Sequence, residues 1–74
     1  MKTILKETLA MVREKYPIGT RVELAHMDDP YTKLNAGDKG TVTHVDDMGT
    51  IHINWDCGSS LGAVYGVDII TKII

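Results

Sequence analysis

Three histidines, two Asp-Asp pairs and a single cysteine are the side chains of this 74-residue chain whose chemistry reaches beyond packing. His26, His44 and His52 are of the type that ligates metal. Asp28-Asp29 and Asp46-Asp47 are of the type that shuttles protons, and Cys57 is a nucleophile when activated. Spacing decides what they can do together. With residues 46–49 read as a turn, strict alternation sets His44 opposite Ile51 and His52 opposite Thr43, on different faces. His26 shares the phase of Val22 and Leu24, which leaves His26 and His44 as the pair able to converge. Two imidazoles without a placed carboxylate fall short of a zinc site, so no metal or cofactor is expected, and the histidines read as rim residues.

The carboxylate pairs have an equally local reading. Acid–base hydrolysis needs a cleft around its substrate, and turns recruit aspartate to hydrogen-bond their own backbone. The spacing of a calcium loop is absent. Cys57 sits in a turn with no histidine at a fixed neighbouring distance, and a thiol without an activating neighbour is inert. The chain is expected not to be an enzyme.

The elements that must position these residues follow from periodicity. Leu5, Leu9, Val12 and Tyr16 recur at 4-3-4 spacing with Ile4, Thr8 and Met11 alongside, which predicts an amphipathic helix over residues 2–15. Pro17 ends it. The period then changes to two: Val22, Leu24 and His26 alternate with Arg21, Glu23 and Ala25. Residues 27–36 have no period and form a loop. Gly37 and Gly40 bracket a turn into a strand over 41–45, residues 46–49 turn the chain, and 50–55 return with Ile51, Ile53 and Trp55 on one face. Further strands are expected over 61–65 and 69–74. One domain covers 1–74, with the helix in 1–16 and a small SH3-like barrel of about five strands in 17–74. Its expected core is Val22, Leu24, Val42, Ile51, Ile53 and Trp55.

Composition narrows function further. At 43% hydrophobic residues, the chain can fill one small core but not a core and a deep cavity. The net charge is -2, with scattered Lys and Arg and clustered acids, which disfavours direct phosphate binding. A protein partner is the expectation instead. One cysteine excludes an internal disulfide and fits a reducing cytoplasm. Glu7 and Arg13 interrupt any leader-like apolar run after Met1-Lys2-Thr3, and no stretch has the length of a membrane span. A cytoplasmic protein is expected.

Five ordered motifs carry a resemblance. Pro17-x-Gly19-x-Arg21-Val22, Met27-x-Asp29-Pro30-Tyr31, Gly37-x-x-Gly40-Thr41-Val42, Val45-Asp46-Asp47-x-Gly49 and Trp55-Asp56-x-Gly58-Ser59-Ser60-Leu61 together resemble domain of unknown function 4314. The likeness spans roughly residues 16–72, with the helix outside the shared core. Cys57 stands where the pattern favours a small polar residue. The resemblance implies an SH3-like barrel in the setting of phages and mobile elements, and supplies no functional residues. In that setting one expected role is an accessory protein that binds or inhibits a host protein or nucleoprotein defence complex. Gly37-x-x-Gly40-x-Val42 also resembles the KOW motif, which implies the competing class of a nucleic-acid-binding barrel.

Candidate partner-binding residues are Asp28, Asp29, Tyr31, Asp46 and Asp47. Tyr31 has two readings, ligand contact or packing of Pro30-Tyr31 back onto a long loop. Trp55 shares the phase of Ile51 and Ile53 and belongs in the core. The tail Ile69-Ile70-Thr71-Lys72-Ile73-Ile74 cannot bury all four isoleucines on one face by alternation. Ile4, Met11, Ile73 and Ile74 are therefore candidate interface residues, in an intramolecular lid or a homodimer seam, and a homo-oligomerisation module is the third class.

Overall fold

The computed structural model describes residues 4–27 and 33–73. Asp28, Asp29, Tyr31 and Ile74 lie outside the described residues. The described residues form one helix, α1 (Lys6–Lys15), and five strands: β1 (Arg21–His26), β2 (Lys39–Val45), β3 (Thr50–Trp55), β4 (Ala63–Val64) and β5 (Ile69–Lys72). The strands form one antiparallel sheet in the order β4-β3-β2-β1-β5. The fold is mainly β, as expected for a small SH3-like barrel with a leading helix, but the sheet is not closed by hydrogen bonds. β4 is shorter than the strand expected over 61–65. Val64 leaves the ladder early, because its carbonyl accepts from the N–H of Val67 and Asp68 and its N–H donates to the Asp68 carboxylate.

The helix begins at Lys6, residues 2 and 3 of the expected span lying outside the described residues, and it keeps most of the expected stripe, with Leu9 half-buried. Val12 and Tyr16 are buried in the core, while Leu5 is 69% and Met11 48% exposed. A helix of 10 residues is marginal alone. Burying Val12 contributes about 1.5–3 kcal/mol, and Arg13 and Lys15 in the last turn complement the helix dipole. Ile4, a candidate for an intramolecular lid or a homodimer seam, packs against the chain's own core. Its Cδ1 fills the space above Gly49, where a Cβ would stand 2.6 Å away.

The core joins both layers. Val22, Leu24, Val42, Ile51, Ile53 and Trp55 are all buried as predicted, joined by Val12, Tyr16, Leu34 and Ala63. Trp55 satisfies its indole N–H by donating to the Leu61 carbonyl at 2.8 Å. Gly40 lies within β2, not in the preceding turn, and faces Trp55. A Cβ there would stand 2.6 Å from Ile53 Cγ2 and 3.0 Å from the backbone of Asn54 and Trp55. The glycine lets β2 cross the bulky indole strand. Gly37 takes the turn, with φ +97°.

Two bulges reset which residues face the core. In β2 the pairing changes register between Val42 and His44, so Thr43 is the extra residue. Val42 and Val45 both face inward, and Thr43 and His44 both face out. In β1 the shift falls between Leu24 and His26, with Ala25 extra. His26 is therefore exposed, contrary to the phase expected from Val22 and Leu24, and Met27 turns in against the core.

Candidate binding surface

The β2–β3 hairpin is organised by Asp46. One carboxylate oxygen accepts from the N–H of Met48 at 2.9 Å and of Thr50 at 3.0 Å. The other meets His52 Nε2 at 2.8 Å. These bonds hold the Asp46 carboxyl below the usual carboxylate range, the His52 contact first among them. The acid that sequence reading placed in a partner-binding turn thus builds the turn itself.

His52 in turn lies under His44. The rings are stacked with centroids 4.2 Å apart and planes 7° from parallel. Strict alternation puts these residues on opposite faces, whereas they form a direct pair on the outer face, and the Thr43 bulge absorbs the one-residue difference from the Val42–Ile53 register. Thr43 Oγ1 donates to the His52 carbonyl at 3.1 Å and contacts His44 Nδ1 at 3.3 Å. His26, the partner expected for His44, belongs to the other bulge. Stacked imidazoles aim their nitrogens within parallel planes, so their lone pairs do not meet at a common point. No group of three or more His, Cys, Asp or Glu able to hold a metal occurs among the described residues.

Around this stack the surface is contoured but open. A depression of about 390 Å³ is lined by Thr43, His44, His52, Ile53, Asn54 and Ser60. On the other side of His44 lies an apolar slot of about 190 Å³ formed by Arg13, Tyr16, Pro17, Ile18 and Val45. Arg13 reaches from the helix to the hairpin, donating to Asp47 at 2.7 Å and to the Val45 carbonyl at 3.3 Å. Asp47, the second predicted partner-binding acid of this turn, is 95% exposed despite that ion pair. Met48, next in the turn, and Ile18, at the slot, are both exposed.

The remaining turn acids are also used internally. Asp56 forms a two-toothed pair with Arg21 at 2.8 and 2.6 Å, and Arg21 also donates to Thr41 Oγ1. The Arg21 hydrogen bonds hold the Asp56 carboxyl below its ordinary range. Asp38 accepts from the Asn35 N–H. Cys57 is exposed in its turn. A second cleft, of about 310 Å³, lies along the open side of the sheet between Tyr65, Gly66 and Asp68 and the β5 residues Ile69 and Ile70, floored by Tyr16 and Ile51.

The pairing of His44 with His52 and the reach of Arg13 to Asp47 are invisible to a period-two reading. Val42 and Val45, apolar and three apart, are the signal that betrays the bulge. Arg13 carries no such signal, since its target lies 34 residues away.

A helix packed on five antiparallel strands, with its potential site an open surface of mixed polarity, defines a small mainly-β domain of SH3-like strand number and order. The chain belongs to the domain of unknown function 4314 (DUF4314) family, whose sequence model matches residues 5–73. The match includes the helix, which sequence motifs alone had left outside the shared core, and its burial through Val12 and Tyr16 explains why. No curated protein and no solved structure matches the chain. Among the described residues no helix is long and apolar enough to cross a membrane.

Proposed function

We propose that this domain is a non-enzymatic protein-binding module, docking a partner through the face that carries Arg13, Ile18, His44, Asp47 and Met48. The observation that carries this reading is the meeting of two shallow depressions at His44, one of mixed polarity and one apolar. Protein interfaces favour this mixture: Arg, Met and ring side chains around an apolar centre with a polar rim. The slot beside Ile18 has room for about one large side chain of a partner, the geometry of a single anchor residue. Asp47 and Arg13 would set orientation, since exposed charges act on encounter and register more than on affinity. In the mobile-element setting that the family resemblance implies, the partner is a host protein or nucleoprotein defence complex met in the cytoplasm. Asp46 and Asp56, each tied to an internal partner, make a charge-only decoy of nucleic acid the weaker form of that idea.

Affinity capture from source-cell lysate, with and without nuclease, tests the proposal. The bait is the wild-type domain beside an Ile18→Asp, Met48→Asp double variant whose fold is checked by circular dichroism. A stoichiometric protein that survives nuclease and is lost with the variant supports the docking face. Recovery of nucleic acid alone, or of protein released by nuclease, overturns it in favour of the KOW-like class.

A further inference from the structure

The free edge of β5 has a phase that can be read from its neighbours. The Ile73 N–H donates to the Arg21 carbonyl, so Arg21 and Ile73 form a hydrogen-bonded pair, as do Glu23 and Thr71 two residues on. On the opposite side of β1, Leu24 bonds toward the β2 side through Asp38 and Gly37, which agrees with this phase. Thr71 and Ile73 therefore direct their backbone groups to β1. Ile70 and Lys72 direct theirs outward, along the edge of the sheet that ends at β5.

The side chains follow the other alternation. Ile70 packs against the core, so Ile69, Thr71 and Ile73 point to the outer face. That row reads Ile-Thr-Ile in either direction. We infer that the β5 edge is a self-association surface, and that its occupant is a second copy of this chain paired antiparallel about a two-fold axis through Thr71. This inference does not depend on the heterologous partner proposed above, which uses a different face.

The register follows from the phase together with the side-chain row. Ile70 of one copy pairs with Lys72 of the other, and the two exchange N–H···O=C bonds. Its symmetry mate does the same, which gives four bonds between backbone groups that otherwise face outward. Thr71 then stands opposite Thr71 of the second copy in a non-hydrogen-bonded pair, flanked on each side by Ile69 against Ile73. Thr–Thr and apolar cross-strand pairs of this kind are favourable. Ile69, 56% exposed in the single chain, loses that exposure. Asp68, which keeps its bond to the Val64 N–H, falls diagonal to Lys72 of the second copy, an opposite-charge pair within reach of a lysine side chain. The neighbouring symmetric registers, centred on Ile70 or Lys72, set Thr71 against Ile69 or Ile73, and a shift of one residue turns the outward backbone groups away from each other. An edge left unpaired among the described residues, with exposed isoleucine, is otherwise a template for uncontrolled pairing, and closed two-fold pairing removes it. Four strand residues a side is small beside the about 20–30 residues a side of a standard interface, so the dimer dissociates on dilution.

Light scattering coupled to size exclusion, over a series from micromolar to millimolar protein, is the first measurement. The average mass rises toward twice that of the single chain. Thr71→Lys places two like charges on the axis, and it holds the protein at monomer mass at every concentration. Its fold is kept because Glu23, directly opposite on β1, gives the new lysine an intramolecular neighbour. The register is tested by Thr71→Cys in a Cys57→Ser background. Non-hydrogen-bonded antiparallel partners have Cα atoms about 4.5 Å apart, within disulfide range, so oxidation yields a covalent dimer, whereas Lys72→Cys in the same background does not. A wild-type protein that stays monomeric at millimolar concentration overturns the inference. So does a dimer that survives Thr71→Lys, or one that crosslinks through position 72 and not 71.

Discussion

His44 and His52 stand face to face on the outer surface, 4.2 Å between ring centroids, in a register continued from the hairpin turn, and the bulge at Thr43 absorbs the one residue by which it differs from the Val42–Ile53 register. The stack is anchored at one end by Asp46 and borders the Ile18 slot at the other. It ties the hairpin turn to the proposed docking face.

Deleting Thr43 tests this origin. Without it Val42, His44 and Val45 pair with Ile53, His52 and Ile51 in an unbroken ladder, so the shortened protein folds and keeps the stack. The ring protons of His44 and His52 retain their upfield, ring-current-shifted NMR positions. Loss of those shifts in a folded deletion variant would show that the bulge acts by local twist and not by residue count.

Gly40→Ala should destabilise the fold by about 1–3 kcal/mol, the usual cost of overpacking a filled site. The new methyl meets Ile53 Cγ2 and the backbone of Asn54 and Trp55, and backbone cannot turn aside. Urea unfolding followed by circular dichroism measures it. An unchanged midpoint would mean that β2 and β3 separate more easily than their shared core implies.

Trp55 is the sole tryptophan and is 1% exposed, so its fluorescence is blue-shifted in the native state and moves red on unfolding. Trp55→Ala costs about 3–5 kcal/mol, a large part of the about 5–15 kcal/mol that holds a domain. Trp55→Phe costs less but leaves the Leu61 carbonyl without its indole donor. Denaturant midpoints ordered wild type, Phe, Ala are expected, and a Phe variant equal to wild type would remove any role for that bond.

Acid should weaken the fold through Asp46 and Asp56. Both carboxyls are held below their ordinary range in the folded state, by His52 and Arg21 respectively. Their contribution is complete above the unfolded value of about 4 and is lost as pH falls through the lower folded value. Urea midpoints measured against pH should therefore drop below about pH 4. Asp46→Asn should show a shallower drop, since the amide no longer titrates. Parallel curves for the two proteins would show that the Asp46 contacts are too solvated to stabilise.

Much of this domain was legible before its structure. Alternation found all six core residues named from β1, β2 and β3, from Val22 to Trp55, because a strand with one face buried must place its apolar residues two apart. Glycines and aspartates located the turns, since positive φ and side-chain capping are local demands. The helix was legible in kind and in most of its orientation. Leu5 fits its stripe as well as Leu9, Val12 and Tyr16 do, and only the docking of the helix on the sheet decides that Leu5 stays exposed.

The sequence by itself determined the element types, the single core and the family, because each depends on local propensity and short-range pattern. Tertiary structure alone decided which side chains meet. A one-residue bulge reverses the facing of everything after it, so His44 pairs with His52 and His26 turns to solvent. Arg13 finds Asp47 because the helix packs against the hairpin end, a consequence of three-dimensional docking that no sequence spacing records.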